Sequence, residues 1–199
     1  NVPSINDDVY FDANSFSTTG QTVSISAVVA DCKSMNWTGV LNAPTFSIGN
    51  NLSIYGSLTF VPNMTVSGSS DVYFKSTETG NTITLAENHV NSAFEFEGLL
   101  GEWTLQDSIH VSSVKVNEGV LNTNGNSIRA NSFSAVNTST VNLSSTNIYI
   151  YSGGSVINSP NFDAGTSSIF LRLYGGNFVG LSAWNSYTSQ VNNLIIEST

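Results

Sequence analysis

Over most of its length this chain alternates apolar residues with Ser, Thr or Asn in short runs. The clearest are Thr22-Ala27, Leu52-Tyr55, Leu58-Phe60, Met64-Val66, Val72-Phe74, Thr82-Leu85, Trp103-Leu105 and Ile109-Val111. They continue with Val114-Val116, Ser127-Ala130, Val141-Leu143, Asn147-Tyr151, Ser168-Leu173 and Leu194-Glu197. A period of two puts every second side chain on one face, so each run predicts a strand with one buried face. The best helical candidate, Leu85 to Phe94, carries Asn88, Val90 and Asn91 and lacks a sustained i, i+3, i+4 apolar stripe. It reads as a loop, and the fold class as all-β.

A local unit recurs: Gly, a polar pair, a β-branched or Leu residue, any residue, then an apolar residue. It stands at Gly20-Gln21-Thr22-Val23-Ser24-Ile25, Gly49-Asn50-Asn51-Leu52-Ser53-Ile54, Gly80-Asn81-Thr82-Ile83-Thr84-Leu85 and Gly125-Asn126-Ser127-Ile128-Arg129-Ala130, with a looser copy at Gly165-Thr166-Ser167-Ser168-Ile169. Gly is expected to supply a turn with positive φ, after which the polar residues bond neighbouring backbone and alternation begins. The copies are unevenly spaced, which makes the unit a turn-and-strand device rather than a strict repeat. Two architectures compete. A β-sandwich favours strands of ~5 to 6 residues joined by tight hairpins. Here many runs are shorter, and the Asn124-Gly125 pair leaves little room between Leu121 and Ile128. A right-handed parallel β-helix, or β-solenoid, accounts better for the pattern, with inward apolar residues stacked from coil to coil and outward Ser, Thr and Asn in polar ladders. The expectation is a single β-solenoid module over residues 1-199, with Val23, Ile25, Leu52, Ile54, Ile83, Leu85, Ile128, Val141 and Leu143 buried.

Composition narrows the partners. Apolar residues make up 40% and aromatics 11% of the chain, enough to build a core, so disorder is excluded for most of its length. Charged residues are only 10%, which leaves a surface of neutral hydrogen-bonding groups. The net charge of −9 sets fourteen acidic side chains against Lys33, Lys75, Lys115, Arg129 and Arg172, scattered singly. A nucleic-acid backbone or an anionic membrane surface needs clustered Lys and Arg, so neither is an expected partner. No apolar run approaches the ~20 residues of a transmembrane helix. Cys32 is alone, no Cys/His set has zinc spacing, and no metal or cofactor is expected; Cys32 reads as a small core residue. The chain lacks an initiating Met and a basic-then-apolar signal peptide, and is expected to be a piece of a longer, processed protein.

Candidate chemistry is sparse. Polysaccharide-degrading β-helix enzymes need paired carboxylates or calcium-binding acids beside a base. The densest acidic stretch is Glu95, Glu97, Glu102 and Asp107, where Glu95 and Glu97 alternate with Phe94 and Phe96 and read as an exposed strand face. His89 and His110 stand isolated in sequence, and the chain is expected not to be an enzyme. Asp7, Asp8, Asp12 and Asn14 offer oxygen ligands for calcium but do not follow a spaced calcium loop; Asp7 and Asn14 read as turn caps. Thr82 and Thr84 would begin an ice-binding ladder, but Ser24/Ser26, Ser53/Tyr55 and Ser127/Arg129 in the other copies make the face irregular. Trp184, Asn185 and Tyr187 form the best ligand-binding group, an aromatic pair flanking an amide that suits a sugar.

The opening Val2-Pro3-Ser4-Ile5-Asn6-Asp7-Asp8-Val9-Tyr10-Phe11-Asp12-Ala13-Asn14-Ser15-Phe16 resembles the entry segment of repetitive surface proteins of the Bacteroidetes. Leu121-Asn122-Thr123-Asn124-Gly125-Asn126-Ser127-Ile128, Ser132-Phe133-Ser134 and Phe162-Asp163-Ala164-Gly165-Thr166-Ser167-Ser168-Ile169 resemble recurring phrases of the same family. Those proteins are typically large adhesins exported by the type IX secretion system, some serving gliding motility. The resemblance implies a passive extracellular module at the bacterial cell surface, a stalk or weak binding surface contacting glycans or other surface components. It carries over no catalytic motif. Asp107-Ser108-Ile109 is similar to the O-glycosylation site of such proteins, which would place a glycan on Ser108.

Overall fold

The structure, a computed structural model, describes residues 2–136, 138–151, 156–157, 159, 161–173 and 192–198. Among these the regular elements are strands, and the strand pairs are parallel, which excludes the antiparallel sandwich. The strands sort into sheets of eight, eleven and three strands that wind as a β-solenoid of about seven turns.

The first coil places Val9–Tyr10 in a first sheet, Thr22–Ser24 in a short sheet and Ala30–Cys32 in a long sheet. Met35–Asn36, Thr45–Ile48 and Leu52–Ile54 repeat that circuit, and Leu58–Thr59, Thr65–Gly68 and Val72–Phe74 repeat it again. The next two coils pair a short strand with a long one: Asn81–Thr84 with His89–Phe96, then Glu102–Leu105 with Ile109–Val116. Later coils run through Val120–Asn122, Thr140–Asn142 and Asn161–Asp163 in the first sheet. In the long sheet they place Ile128–Ala130, Asn147–Ile150 and Ser168–Leu173, on which Asn193–Ser198 pairs.

Register explains the sequence pattern. Val9, Met35, Leu58, Ile83 and Leu105 lie one above another in the first sheet, and Trp103, Leu121, Val141 and Phe162 form a second inward rank. In the long sheet the rank is Cys32, Ile54, Phe74, Phe96, Val116, Ala135 and Ile157. Fully burying each large apolar side chain contributes about 1.5–3 kcal/mol, so these ranks are the main source of stability. Two aromatic knots thicken them. Trp37 stacks on Phe11 at 4.0 Å and packs on Phe46 and Phe60, while Trp103 meets Phe74 and Phe96 edge-on.

Corners are tied by asparagine. The Asn126 amide donates to the Leu105 carbonyl at 3.0 Å and that of Asn88 to the Val61 carbonyl at 2.9 Å, each joining one coil to the one before. Outside the first sheet Asn142 donates to Asn122 and Asn122 to Glu102, both at 2.6 Å. The abundance of Asn is therefore structural: an amide donates and accepts at once, which a ladder requires.

Three expectations need correction. Leu85 to Phe94 is not a loop, because His89–Phe96 is a strand. Its register shifts between Val90 and Ala93 against the next coil, and this bulge breaks the period-two pattern that would have marked it. Val23 and Ile25 are half-buried rather than buried: Thr22–Ser24 pairs on one side only, and a cavity of about 310 Å³ opens beside them. The other seven expected core residues are buried. Finally, Gly20, Gly80, Gly125 and Gly165 have positive φ as expected, but Gly49 does not. A Cβ on Gly49 would instead lie 3.1 Å from the Ile25 carbonyl, so close approach of two coils explains the residue there.

Candidate functional site

Trp184, Asn185 and Tyr187 lie outside the described residues. The N-terminal acids are placed, and they serve turns. Asp7 accepts hydrogen bonds from the backbone N–H of Ser4 at 2.8 Å and its hydroxyl at 2.6 Å, while Asp12 accepts from the Asn14 N–H at 2.9 Å and from Ser15. These bonds hold both carboxyls below the usual carboxylate range. Asp12, not Asn14, is thus the second cap. Among the described residues no three His, Cys, Asp or Glu side chains converge as a metal site.

Each acid of the densest stretch is engaged singly. Glu95 is buried rather than on an exposed face, because Lys115 of the next coil covers it at 2.5 Å. Glu97 faces Lys75 at 3.6 Å, and Glu102 accepts from Asn122. Asp107 accepts from the backbone N–H groups of Leu85, at 2.9 Å, and Ala86. Ser108 beside Asp107 is exposed, its hydroxyl accepting from the Ser127 N–H at 3.0 Å.

Thr82 and Thr84 lie in the first sheet beneath Thr59 and above Thr104. The copies set against them in sequence lie elsewhere: Ser24 in the short sheet, Ser53 and Arg129 in the long one. Farther along, the rank continues as Asn122, Asn142 and Asp163, so the outer face changes from hydroxyls to amides and ends on a carboxylate.

What sequence reasoning missed is a stripe on the outside of the long sheet. His89, His110, Arg129, Tyr149 and Phe170 occupy one outward rank in successive coils, because they follow one another at 19 to 21 residues, one coil apart. The two histidines, isolated in sequence, stack with centroids 3.8 Å apart. Tyr149 stacks on Phe170 at 4.7 Å. Arg129 and Arg172, also single in sequence, both lie against the Tyr149 ring, at 5.6 and 5.3 Å, and Arg172 reaches Tyr151 at 5.6 Å. Glu197 holds the Arg172 Nε at 2.7 Å. A search at a spacing of about one coil would have found the rank; reading each residue with its chain neighbours could not.

At the head of this stripe, beside the strand bulge, His89, Asn91, His110, Asn131 and Tyr151 line a groove of about 380 Å³. Burial, then the charges of His89 and Arg129, push the His110 imidazole below its usual range. At neutral pH it is therefore uncharged, with one nitrogen donating and the other accepting. The groove presents two amides, two imidazoles and a phenol, all groups that bond hydroxyls. No protein-family model, no curated protein and no solved structure matches this chain.

Proposed function

We propose that this chain is a structural segment of a large secreted bacterial cell-surface adhesin, a stiff spacer whose faces bind weakly. The observation that carries the reading is the unbroken stacking of inward ranks from Val9 to Leu105 and from Trp103 to Phe162. A body built this way lengthens by about 4.8 Å per coil without a larger core, which suits a stalk. The neutral outer ladders and the net charge of −9 support the same reading, since they resist nonspecific pairing and self-association. Secretion and surface placement rest on the resemblance of the opening segment and the Ala164-Gly165-Thr166-Ser167-Ser168-Ile169 phrase to type IX-secreted surface proteins.

The test exchanges this segment, within its parent protein, for an unrelated β-solenoid of equal coil number. Cell adhesion persists if the segment is a spacer, and its loss at unchanged display height overturns the reading. Antibodies against the segment should label intact cells; labelling only after lysis would remove the surface assignment.

A further inference from the structure

The spacer reading leaves one feature of the surface unused. Of the chain's basic side chains, His89, His110 and Arg129 lie in one outward rank of the long sheet, and Arg172 rests against Tyr149 and Tyr151 beside it. The carboxylates on the strands and turns beside the stripe are mostly committed. Glu95 is held by Lys115, Asp107 by the amides of Leu85 and Ala86, and Glu197 by Arg172, leaving Glu87 at the turn before His89. Arg129 is exposed, rests on Tyr149, and has no carboxylate partner among the described residues. Its donors lie in the plane of the guanidinium, so contact with a ring leaves the fork open to an anion.

We propose that the groove of His89, Asn91, His110, Asn131 and Tyr151, with Arg129 beside it, binds an acidic polysaccharide. The amides, imidazoles and phenol bond the sugar hydroxyls, and Arg129 takes the anionic group. The coil spacing of about 4.8 Å is close to the length of one sugar ring along an extended glycan, so successive coils meet successive sugars. Single-stranded nucleic acid fits less well. The ring faces that would receive bases are stacked on one another, His89 on His110 and Tyr149 on Phe170. The site goes beyond the spacer reading and does not depend on it.

The test is calorimetric titration of the whole chain with four hexameric probes: galacturonate, a sulfated galactan, neutral cellohexaose and single-stranded DNA. One of the two acidic glycans is expected to bind at least about tenfold tighter than cellohexaose and DNA, and which one it is assigns the anion as carboxylate or sulfate. Arg129→Ala should weaken that binding about tenfold, the affinity equivalent of one charge-assisted hydrogen bond. Lys33→Ala, the same charge change at an exposed site in the first coil, should leave it unchanged. His110→Gln, with circular dichroism to verify the fold, should weaken it as well. Equal binding of neutral and acidic glycans, tighter binding of DNA, equal losses in Arg129→Ala and Lys33→Ala, or no binding to any probe would each overturn the proposal while leaving the spacer reading in place.

Discussion

Cys32 is the chain's single thiol, 1% exposed in the inward rank above Ile54. Burial, reinforced by the charges of Asp31 and Asp8, pushes its pKa up to about 12. The thiolate is the reactive form, so the native chain should resist Ellman's reagent at pH 8 and react with one equivalent once unfolded in guanidinium. Rapid stoichiometric labelling of the native chain would contradict this placement. His110 gives a pH signature of the opposite kind. It faces His89 and Arg129, with Tyr151 across the groove and Glu87 at the preceding turn, and its folded-state pKa lies below the usual 6.5. A depressed pKa means the unfolded chain binds the proton first. The contribution is complete above the unfolded value and is lost as the pH falls through the folded one. The melting temperature should therefore fall as the pH drops below about 6.5, above the range where carboxylates titrate. His110→Gln should flatten that slope; an unchanged slope would assign it to other groups.

At the scale of the element, the corner after His89–Phe96 shows how closely coils pack. A Cβ on Gly98 would lie 1.8 Å from the Ser76 carbonyl oxygen and 2.8 Å from the Trp103 ring, and one on Gly101 would meet the same two groups. Neither Ser76 nor the buried Trp103 can retreat without moving a coil. Gly98→Ala should cost about 2–3 kcal/mol, a fall in melting temperature of roughly 5–10 °C for a chain of this size. A shift within a degree of wild type would show that the corner yields. This scale also decides what the sequence disclosed. Val72–Phe74 and Ser168–Leu173 were legible to the residue because each concentrates β-branched, aromatic or Leu side chains in a short run. Ala30–Cys32 and Met35–Asn36 were not, being too short for a period to register, and the bulge in His89–Phe96 disguised that strand. The groove was hidden for a different reason. Its residues are one coil apart, and the recurring glycine unit that suggested a period enters the short sheet at Thr22, the first sheet at Asn81 and the long sheet at Leu52 and Ile128. The unit marks corners generally, so its spacing does not report the coil length that would have aligned His89, His110 and Arg129.

For the whole molecule, the coil is the unit on which shape and stability depend. Leu121 pairs with Val141 and Ile128 with Ile148, both a 20-residue step, and Asn122 and Asn142 bond within the same ladder. Residues 121–140 thus span one coil that begins and ends at equivalent points of the first sheet. A second copy inserted after Thr140 would bring its own Leu121 opposite Val141, in the register that Leu121 already holds. If stability is a sum of coil and neighbour contributions, the longer chain should fold, unfold in one transition with a larger urea m-value, and gain about 5 Å in maximum dimension by small-angle scattering. Two separate transitions would mean that the coils on either side of the insertion are no longer coupled. An unfolded product would mean that coil identity, set by knots such as Trp103 against Phe74 and Phe96, outweighs coil geometry. A spacer evolves by adding and removing coils, so the duplication measures directly whether this fold tolerates the operation that the proposed role requires.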